Sequence, residues 1–301
     1  MLEASMYKSL GRSEKTMGYI FIAPIFFLVF VVIGFPFIYT FILSFTNKRI
    51  GYEGTKFIGI LNYIQIYKDP QYWTVLRNTF IYTVICISVK LLLGMIAALV
   101  LNEKFHGRGF VRVCMLLPWA IPGIVAAHSW KWMYNDQYGI INALLRHIGI
   151  ISQPIPWLSD MRLALISVMI VNIWRGVPFF LFSIIGGLQT IDNQLYDAAK
   201  IDGAGPVMRF LNVTIPSISP IVAITTLLST IWTFNDFDNI WLVTGGGPMD
   251  ASSVIATYTY KTAFITNEMA QALSVAVSVI PILVLLLYFA VRTIARSERK
   301  V

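Results

Sequence analysis

The sequence predicts an all-α, polytopic membrane protein with six transmembrane helices. Of its 301 residues, 57% are hydrophobic and 13% are charged, with a mean hydropathy of +0.70. A soluble domain carries about 25% charged residues because its surface faces water. The charges here are also unevenly spread, since long apolar stretches alternate with short polar ones. The apolar stretches are predicted to be helical because backbone groups in hydrocarbon must bond within their own segment.

Six segments reach the length of about 20 apolar residues that a membrane-spanning helix needs. In chain order they run from Gly18 to Ser44, Leu76 to Leu101, Phe110 to Tyr134, Leu163 to Leu188, Ser217 to Trp241 and Met269 to Val291. The first is longer than the h-region of a signal peptide, about 7–15 residues. We therefore expect it to be a retained span, bent near Gly34 and Pro36.

An even number of spans places both termini on the same side of the membrane. Lys and Arg are more numerous on the side that holds the termini, for example Lys8, Arg12 and Lys300, than on the other side. The positive-inside rule therefore predicts cytoplasmic termini and a cytoplasmic loop between spans four and five, residues 189–216. The sequence pI is about 9.4. However, the basic residues lie at segment ends rather than in one patch, so we expect no nucleic-acid partner.

The loop over residues 189–216 has the local signals of two short helices. Asp192 is placed to cap a helix that continues to Lys200, and Gly203 can adopt the left-handed conformation that ends it. Pro206 suits the start of a second helix over residues 207–213, and Pro216 and Pro220 are expected to limit helical continuity before span five. An ordinary linker is the alternative, but connections between helices are usually shorter.

This loop resembles the signature loop of ATP-binding-cassette importer permeases. The matching residues are Asp197, Ala198, Ala199, Asp202, Gly203, Ala204 and the Ile215-Pro216 pair. Asp197 stands where the family has Glu, and Ile215 where it has Leu. The resemblance implies the type I importer permease fold, with residues 1–301 forming one transmembrane domain and residues 189–216 forming the coupling loop. In that family the loop docks into a cleft of a cytoplasmic ATPase and follows its opening and closing.

A second stretch is similar to carbohydrate-type permeases of the maltose and multiple-sugar class. It runs from Phe234 to Pro248, includes Gly245, Gly246 and Gly247, and is followed by Tyr258 and Tyr260. The resemblance implies a non-enzymatic, multi-pass protein of the bacterial inner membrane that imports a sugar or oligosaccharide. It also implies two cytoplasmic ATP-binding subunits, a second homologous permease and an extracytoplasmic binding protein. ATP and Mg²⁺ would then be bound by the ATPases, and this chain would hold no cofactor.

Charged and polar residues inside the spans are candidates for the solute pathway, because a lone charge in hydrocarbon is costly unless it faces a cavity or a partner. The predicted pathway residues are Asn172, Arg175, Trp232, Asn235 and Asp236. The last three are expected to share one helical face with Asn239. An interfacial belt is the alternative for Asp236. Lys90 is expected to pack between helices or to snorkel.

Arg175 and Asp236 are also a candidate ion pair. At 1.5 Å per residue, Arg175 lies about 20 Å above the inner end of span four and Asp236 about 28 Å above that of span five. An extended Arg side chain bridges such a gap, so the pair remains open at this stage.

Three other classes of protein fit the sequence less well. An enzyme would need a catalytic constellation of His, Cys or paired carboxylates, and a self-powered pump would need a phosphate-binding Gly-rich loop. Neither pattern is present. A secondary, ion-coupled transporter would carry inverted repeats and carboxylates near the midplane. It is retained as the alternative function, although it does not explain the loop over residues 189–216.

Overall fold

The computed structural model describes residues 17–298, and within this range the chain is built of helices. The described residues contain no strand beyond an isolated bridge between Thr46 and Phe57. Both termini lie outside the described residues, and with them Lys8, Arg12 and Lys300, on which the prediction of cytoplasmic termini partly rests. An all-α fold is confirmed.

We number the helices α1 to α13 in chain order. Their bounds are α1 Met17–Leu43, α2 Leu61–Lys68, α3 Pro70–Asn102, α4 Arg108–Ala120, α5 Gly123–Met133, α6 Ile140–His147, α7 Leu163–Gln189, α8 Asn193–Ile201, α9 Pro206–Phe234, α10 Asp238–Val243, α11 Ile255–Phe264, α12 Met269–Ser278 and α13 Ile280–Glu298. Two of them contain a π turn, Phe30–Gly34 in α1 and Phe210–Thr214 in α9.

Four described helices, α1, α3, α7 and α9, are long and apolar enough to cross a membrane. A fifth span is formed only if α4 and α5 are taken together, because the two helices meet at an angle of 94°. The sixth predicted segment falls on α12 and α13, whose apolar part from Met269 to Leu285 is shorter. The prediction of six spans is therefore not fully confirmed by the lengths of the described helices.

The third predicted span is broken at Pro122. Ile121 and Pro122 are both extended, with ψ angles of 132° and 135°. A proline disfavours helical geometry in the residue before it, because its ring clashes with that residue's backbone. The expected single helix over residues 110–134 is therefore wrong, and the segment is a broken span or a re-entrant loop.

The fifth predicted span begins earlier and ends earlier than expected. Pro216 and Pro220 do not interrupt α9, which continues from Pro206 to Phe234. A π turn precedes Pro216, and in it the Ile215 N–H bonds to the carbonyl of Phe210, five residues back. Such a wide turn accommodates a residue that disturbs the regular ladder. The separate helix predicted for residues 207–213 is therefore the first part of α9.

The same arrangement occurs in the first span. The π turn Phe30–Gly34 precedes Pro36, and the Phe35 N–H bonds to the carbonyl of Phe30. The bend expected near Gly34 and Pro36 is therefore a widened turn inside a helix that continues to Leu43.

The chain divides into two compact units. The second, Tyr67–Lys261 with the described residues from Ser278 onward, contains α3, α7 and α9 around a buried apolar cluster that includes Ile87, Phe180 and Ile218. Gly94 of α3 packs directly on the backbone of α7 at Phe180 and Leu181. This close approach fixes the helices that carry the buried polar residues described below.

The first unit comprises the described residues up to Ile66 together with Thr262–Val277. Buried Asn62 donates from Nδ2 to the carbonyls of Ser44 and Thr46, each at 2.8 Å. The Ser274 hydroxyl donates to the same Ser44 carbonyl at 2.9 Å. These bonds join the residues after α1 to α12 within this unit.

Candidate functional site

The segment from Asp192 to Arg209, which we call the elbow, has the local structure that the sequence predicts. The Asp192 carboxylate accepts the Gln194 N–H at 2.9 Å and so caps α8. Gly203 has a φ of +80°, which residues with a Cβ rarely adopt. Pro206 then occupies the first turn of α9, where its missing N–H is not needed.

A side-chain hydrogen bond joins α8 of the elbow to the π turn of α9. The hydroxyls of Tyr196 and Thr214 lie 2.9 Å apart. Beside them is a groove of about 670 Å³ whose lining includes Asn102 and Arg209. At the tip, Ile201 is 88% exposed. Val207 and Met208, also on the elbow, are 72% and 57% exposed. Several exposed apolar side chains on one short, ordered segment are typical of a surface that another protein covers.

The six predicted coupling residues lie together on this elbow. Asp197, Ala198, Asp202 and Gly203 are exposed, and Ala199 and Ala204 are half-buried. The Asp197 carboxylate accepts from the Lys200 ammonium at 2.8 Å, one turn along the same helix. Since both side chains are more than half exposed, this pair contributes little to stability, and the Asp197 charge is available to a basic group of another protein.

A second set of predicted residues lies in a buried polar cluster, which we define as Tyr82, Lys90, Asn172, Arg175, Thr233, Asp236 and Asn239. Its centre is the Asp236 carboxylate. Oδ2 of Asp236 accepts from the Tyr82 hydroxyl at 2.6 Å, from Asn172 Nδ2 at 2.7 Å and from Asn239 Nδ2 at 2.8 Å. Its Oδ1 accepts the Asn239 backbone N–H at 3.3 Å. Neutral groups therefore supply all of these bonds to Asp236.

Arg175 is not paired with Asp236. None of the three ion pairs between residues 17 and 298 includes either side chain. Arg175 Nη1 instead donates to Asn239 Oδ1 at 3.4 Å, so Asn239 lies between the guanidinium and the carboxylate. The buried Nε of Arg175 has no hydrogen-bond partner among the described residues. The candidate ion pair is therefore replaced by an amide-bridged contact.

Lys90 packs between helices, which is one of its two predicted placements. It is 3% exposed, and its Nζ donates to Thr233 Oγ1 at 2.9 Å. Its stem lies across Gly176 of α7, where a Cβ would come within 2.5 Å of the Lys90 Cδ. Lys90 therefore connects α3, α7 and α9 at one point.

Trp232 and Asn235 lie outside the polar cluster. Trp232 is 56% exposed, and its ring centroid lies 5.1 Å from that of Phe179. Asn235 is exposed and donates to the carbonyl of Ile231 in its own helix. The expectation of one shared helical face fails because α9 ends at Phe234 and a new helix, α10, begins at Asp238. Of the predicted pathway residues, the structure brings Asn172, Arg175 and Asp236 together.

Two members of the cluster were missed by the sequence reasoning, Tyr82 and Thr233. Both lie in apolar helices among many similar residues, and only their place in the fold brings them to Asp236 and Lys90. No group of three or more His, Cys, Asp or Glu residues that could hold a metal ion occurs in the described part of the chain.

The Gly-rich turn after α10, residues 245–248, is tight. Gly245 and Gly246 have φ angles of +62° and +82°. The turn is held by Lys261, whose Nζ lies 2.6 Å from Asp250 Oδ1, with both side chains about one-quarter exposed. It therefore forms an ordered surface on the second unit.

The sequence and the structure were compared with known proteins. A family model described as "Binding-protein-dependent transport system inner membrane component" matches residues 90–300. The "Trehalose/maltose transport system permease protein MalF" of Thermococcus litoralis is 33% identical over 260 residues, covering 86% of this chain and 88% of that protein. The "Probable ABC transporter permease protein y4oQ" of Sinorhizobium fredii is 37% identical over 246 residues, covering 81% and 79%.

A solved structure has the same fold over nearly the whole chain. It is described as "a bacterial ABC transporter involved in the import of the acidic polysaccharide alginate", and its matching chain gives a TM-score of 0.79. The two chains are 19% identical, and the match covers 98% of this chain and 99% of the other.

Proposed function

The chain belongs to the family of binding-protein-dependent transport system inner membrane components, the membrane subunits of ATP-binding-cassette importers, and from this membership we propose that it imports a sugar or oligosaccharide. Membership does not support the ion-coupled alternative. The observation that carries the proposal is the elbow, an ordered segment on which Ile201 and Val207 are 88% and 72% exposed.

We propose that the elbow docks on a cytoplasmic ATPase. Asp197 would meet a basic group of that protein, and Ala198, Ala199, Asp202, Gly203 and Ala204 would let its surface approach closely. ATP and Mg²⁺ would be held by two such ATPases, so that this chain hydrolyses nothing and needs no cofactor. The exposure of Ile201 supports this proposal, because docking would remove apolar surface of this side chain from water.

We further propose that a second, homologous permease completes the solute path and that an extracytoplasmic binding protein delivers the solute. The ordered Gly-rich turn near Gly246 is the candidate surface for that delivery. ATP-driven closure of the ATPases would move the elbow and open the path outward, and release of the closure would open it inward. Residues 1–301 would act as one transmembrane domain in the bacterial inner membrane, with both termini and the elbow in the cytoplasm.

The solute path is proposed to pass Asn172, Arg175 and Asp236, with Trp232 and Asn235 nearer the surface. Two features support this placement. The guanidinium of Arg175 is half-buried, and most of its N–H groups have no bonded partner among residues 17–298. The Trp232 indole offers an exposed aromatic face, which sugar rings contact well.

Two matched variants test the docking proposal. Ile201→Arg places a charge at the elbow tip, whereas Ile150→Arg makes the same change at another apolar residue, which is 67% exposed. We expect Ile201→Arg to abolish co-purification with the ATPases and ATP-dependent uptake of labelled saccharides, because a charge would be buried without a partner. Ile150→Arg should preserve both. Normal assembly and uptake in the Ile201 variant would refute the docking proposal.

Cysteine labelling tests on which side of the membrane the elbow lies. In a background in which exposed Cys114 is replaced by Ser, cysteines at positions 201 and 150 are treated with a membrane-impermeant maleimide in intact cells. Labelling at 150 and not at 201 is expected. Labelling of Ile201→Cys from outside would place the elbow on the wrong side of the membrane and would contradict the proposed function.

A further inference from the structure

The long apolar helices and the bent pair α4 and α5 together carry basic residues but no acidic ones. No Asp or Glu occurs in α1, α3, α4, α5, α7 or α9. Two cations nevertheless lie well inside these helices, Lys90 in α3 and Arg175 in α7. The carboxylate in contact with this region, Asp236, lies in the break between α9 and α10. With two positive groups and one negative group, the polar cluster has a net charge of +1.

This positive charge is not cancelled by direct pairing. Asp236 accepts from Tyr82, Asn172 and Asn239, all of them neutral, and these bonds occupy its oxygens. Lys90 has a neutral hydroxyl as its bonded partner although the ammonium carries three donors. Burying a cation without an anion is costly, so the arrangement favours a negative group arriving from elsewhere.

Arg175 is the cation that such a group can reach. Its side chain is half-buried, unlike that of Lys90, and its one hydrogen bond among residues 17–298 is long, at 3.4 Å to Asn239. The guanidinium lies against Gly123, the first residue of α5, where a Cβ would come within 3.2 Å of Nη1. The N-terminus of a helix is its positive end. Two positive groups therefore lie next to each other, and the buried Arg175 Nε is unbonded among the described residues.

We propose that the imported solute is an acidic saccharide and that Arg175 binds its carboxylate during passage. This inference rests on the proposed import function and names its substrate class. The planar guanidinium offers two parallel N–H groups that fit a carboxylate. Lys90 lies too deep to touch the solute and acts as a positioning residue, holding Thr233 of α9 beside Gly176 of α7 and adding a second positive charge to the field. A neutral saccharide would leave the net positive charge of the cluster uncompensated.

The test uses the complete importer with its ATPases and binding protein, and a panel of labelled uronate disaccharides, each matched with its neutral counterpart. We expect ATP-dependent uptake of acidic members. Arg175→Gln should lower this uptake about 30-fold, the size of one lost hydrogen bond to a charged group. Arg175→Lys, which keeps the charge and loses the fork, should recover part of it. Assembly with the ATPases should not change in either variant.

A second pair of variants tests the geometry without removing a charge. Gly123→Ala places a methyl group against the guanidinium and should lower uptake of acidic members several-fold by raising KM. Gly109→Ala in the neighbouring helix α4 has open space around it and should leave uptake unchanged. A purely structural role for Arg175 would instead reduce assembly in Arg175→Gln and would not be relieved by Lys.

The outcomes separate the two proposals. Uptake restricted to neutral members, or equal losses for Arg175→Gln and Arg175→Lys with impaired assembly, would overturn the acidic-saccharide inference while leaving import intact. The absence of ATP-dependent uptake for every member of the panel would refute the proposed import of saccharides, and this inference with it.

Discussion

Substitution of Gly94 tests whether the packing of α3 on α7 supports the buried polar cluster. A Cβ at Gly94 would overlap the Cβ of Phe180, and it would lie 3.2 Å from the backbone nitrogen of Leu181 and 3.3 Å from the carbonyl carbon of Phe180. Phe180 and Leu181 are fully buried. Because two of these three atoms belong to the backbone, no rotamer change relieves the overlap. Gly94→Ala therefore requires α7 to move away from α3.

The expected cost follows from these contacts. Carbon atoms pack at about 3.5–4.0 Å, so α7 must move by about 1 Å. Overpacking of this kind costs about 1–3 kcal/mol. Replacing a helical glycine by alanine also gains about 1 kcal/mol from helix propensity. Gly186→Ala, in α7 itself, shares that gain and has no atom within 4 Å of its added methyl. The difference between the two variants is therefore the overpacking cost alone.

The assay is denaturant-induced unfolding of the purified chain in mild detergent, followed by tryptophan fluorescence. We expect Gly94→Ala to unfold with a free energy about 1–3 kcal/mol lower than that of Gly186→Ala. If the two free energies agree within about 0.5 kcal/mol, the close contact between α3 and α7 does not exist as described, and the placement of Lys90 on α3 beside Gly176 on α7 loses its support.

Three further predictions concern the elbow, the cluster and the Gly-rich turn. Gly203→Ala should destabilise the elbow by about 1–2 kcal/mol because residue 203 has a positive φ, and the variant should bind the ATPase more weakly in titrations. Gly205→Ala, with open space and a negative φ, should bind the ATPase normally. Equal affinities of the two variants would contradict this reasoning. Asp236→Ala should lower the free energy of denaturant unfolding by about 3 kcal/mol or more, because four donors lose their acceptor. A loss below about 1 kcal/mol would show that the donors find other partners. Lys261→Met should destabilise the Gly-rich turn by about 1 kcal/mol, because it removes the ion pair between Lys261 and Asp250. The amides of the turn should then exchange faster with solvent, and unchanged exchange would argue against the ion pair.

The elbow was predictable because its structure is set by residues close together in the chain. A capping Asp192, a Gly203 with positive φ and a Pro206 at a helix start each act within one turn. The prediction that Pro216 and Pro220 limit the continuity of the helix is wrong, because α9 runs through both. Pro122 breaks the chain direction, whereas Pro216 is absorbed by a π turn. The presence of a proline in an apolar stretch does not distinguish these outcomes, because Pro122 and Pro216 both lie in apolar surroundings.

The polar cluster could be predicted only in part. Arg175 and Asp236 stand out as charges in apolar stretches. However, the break between α9 and α10, where Asp236 lies, contains no Gly or Pro that would predict it. The chain ends α9 at Phe234, and Asp236 Oδ1 then accepts the Asn239 N–H at the start of α10, as a capping residue does. A run of Asn and Asp could have indicated that cap. Tyr82 and Thr233 could not have been identified, because tertiary packing alone brings them to the cluster.

The uninterrupted course of α9 has a mechanical consequence. At 1.5 Å per residue its 29 residues form a lever about 43 Å long, with Pro206 of the elbow near one end and Thr233 near the other. A tilt of about 5° at one end displaces the opposite end by about 4 Å. The bond from Lys90 to Thr233 is 2.9 Å long and does not survive such a displacement. Tilting of α9 in each transport cycle would therefore break the hydrogen bond from the Lys90 ammonium to Thr233.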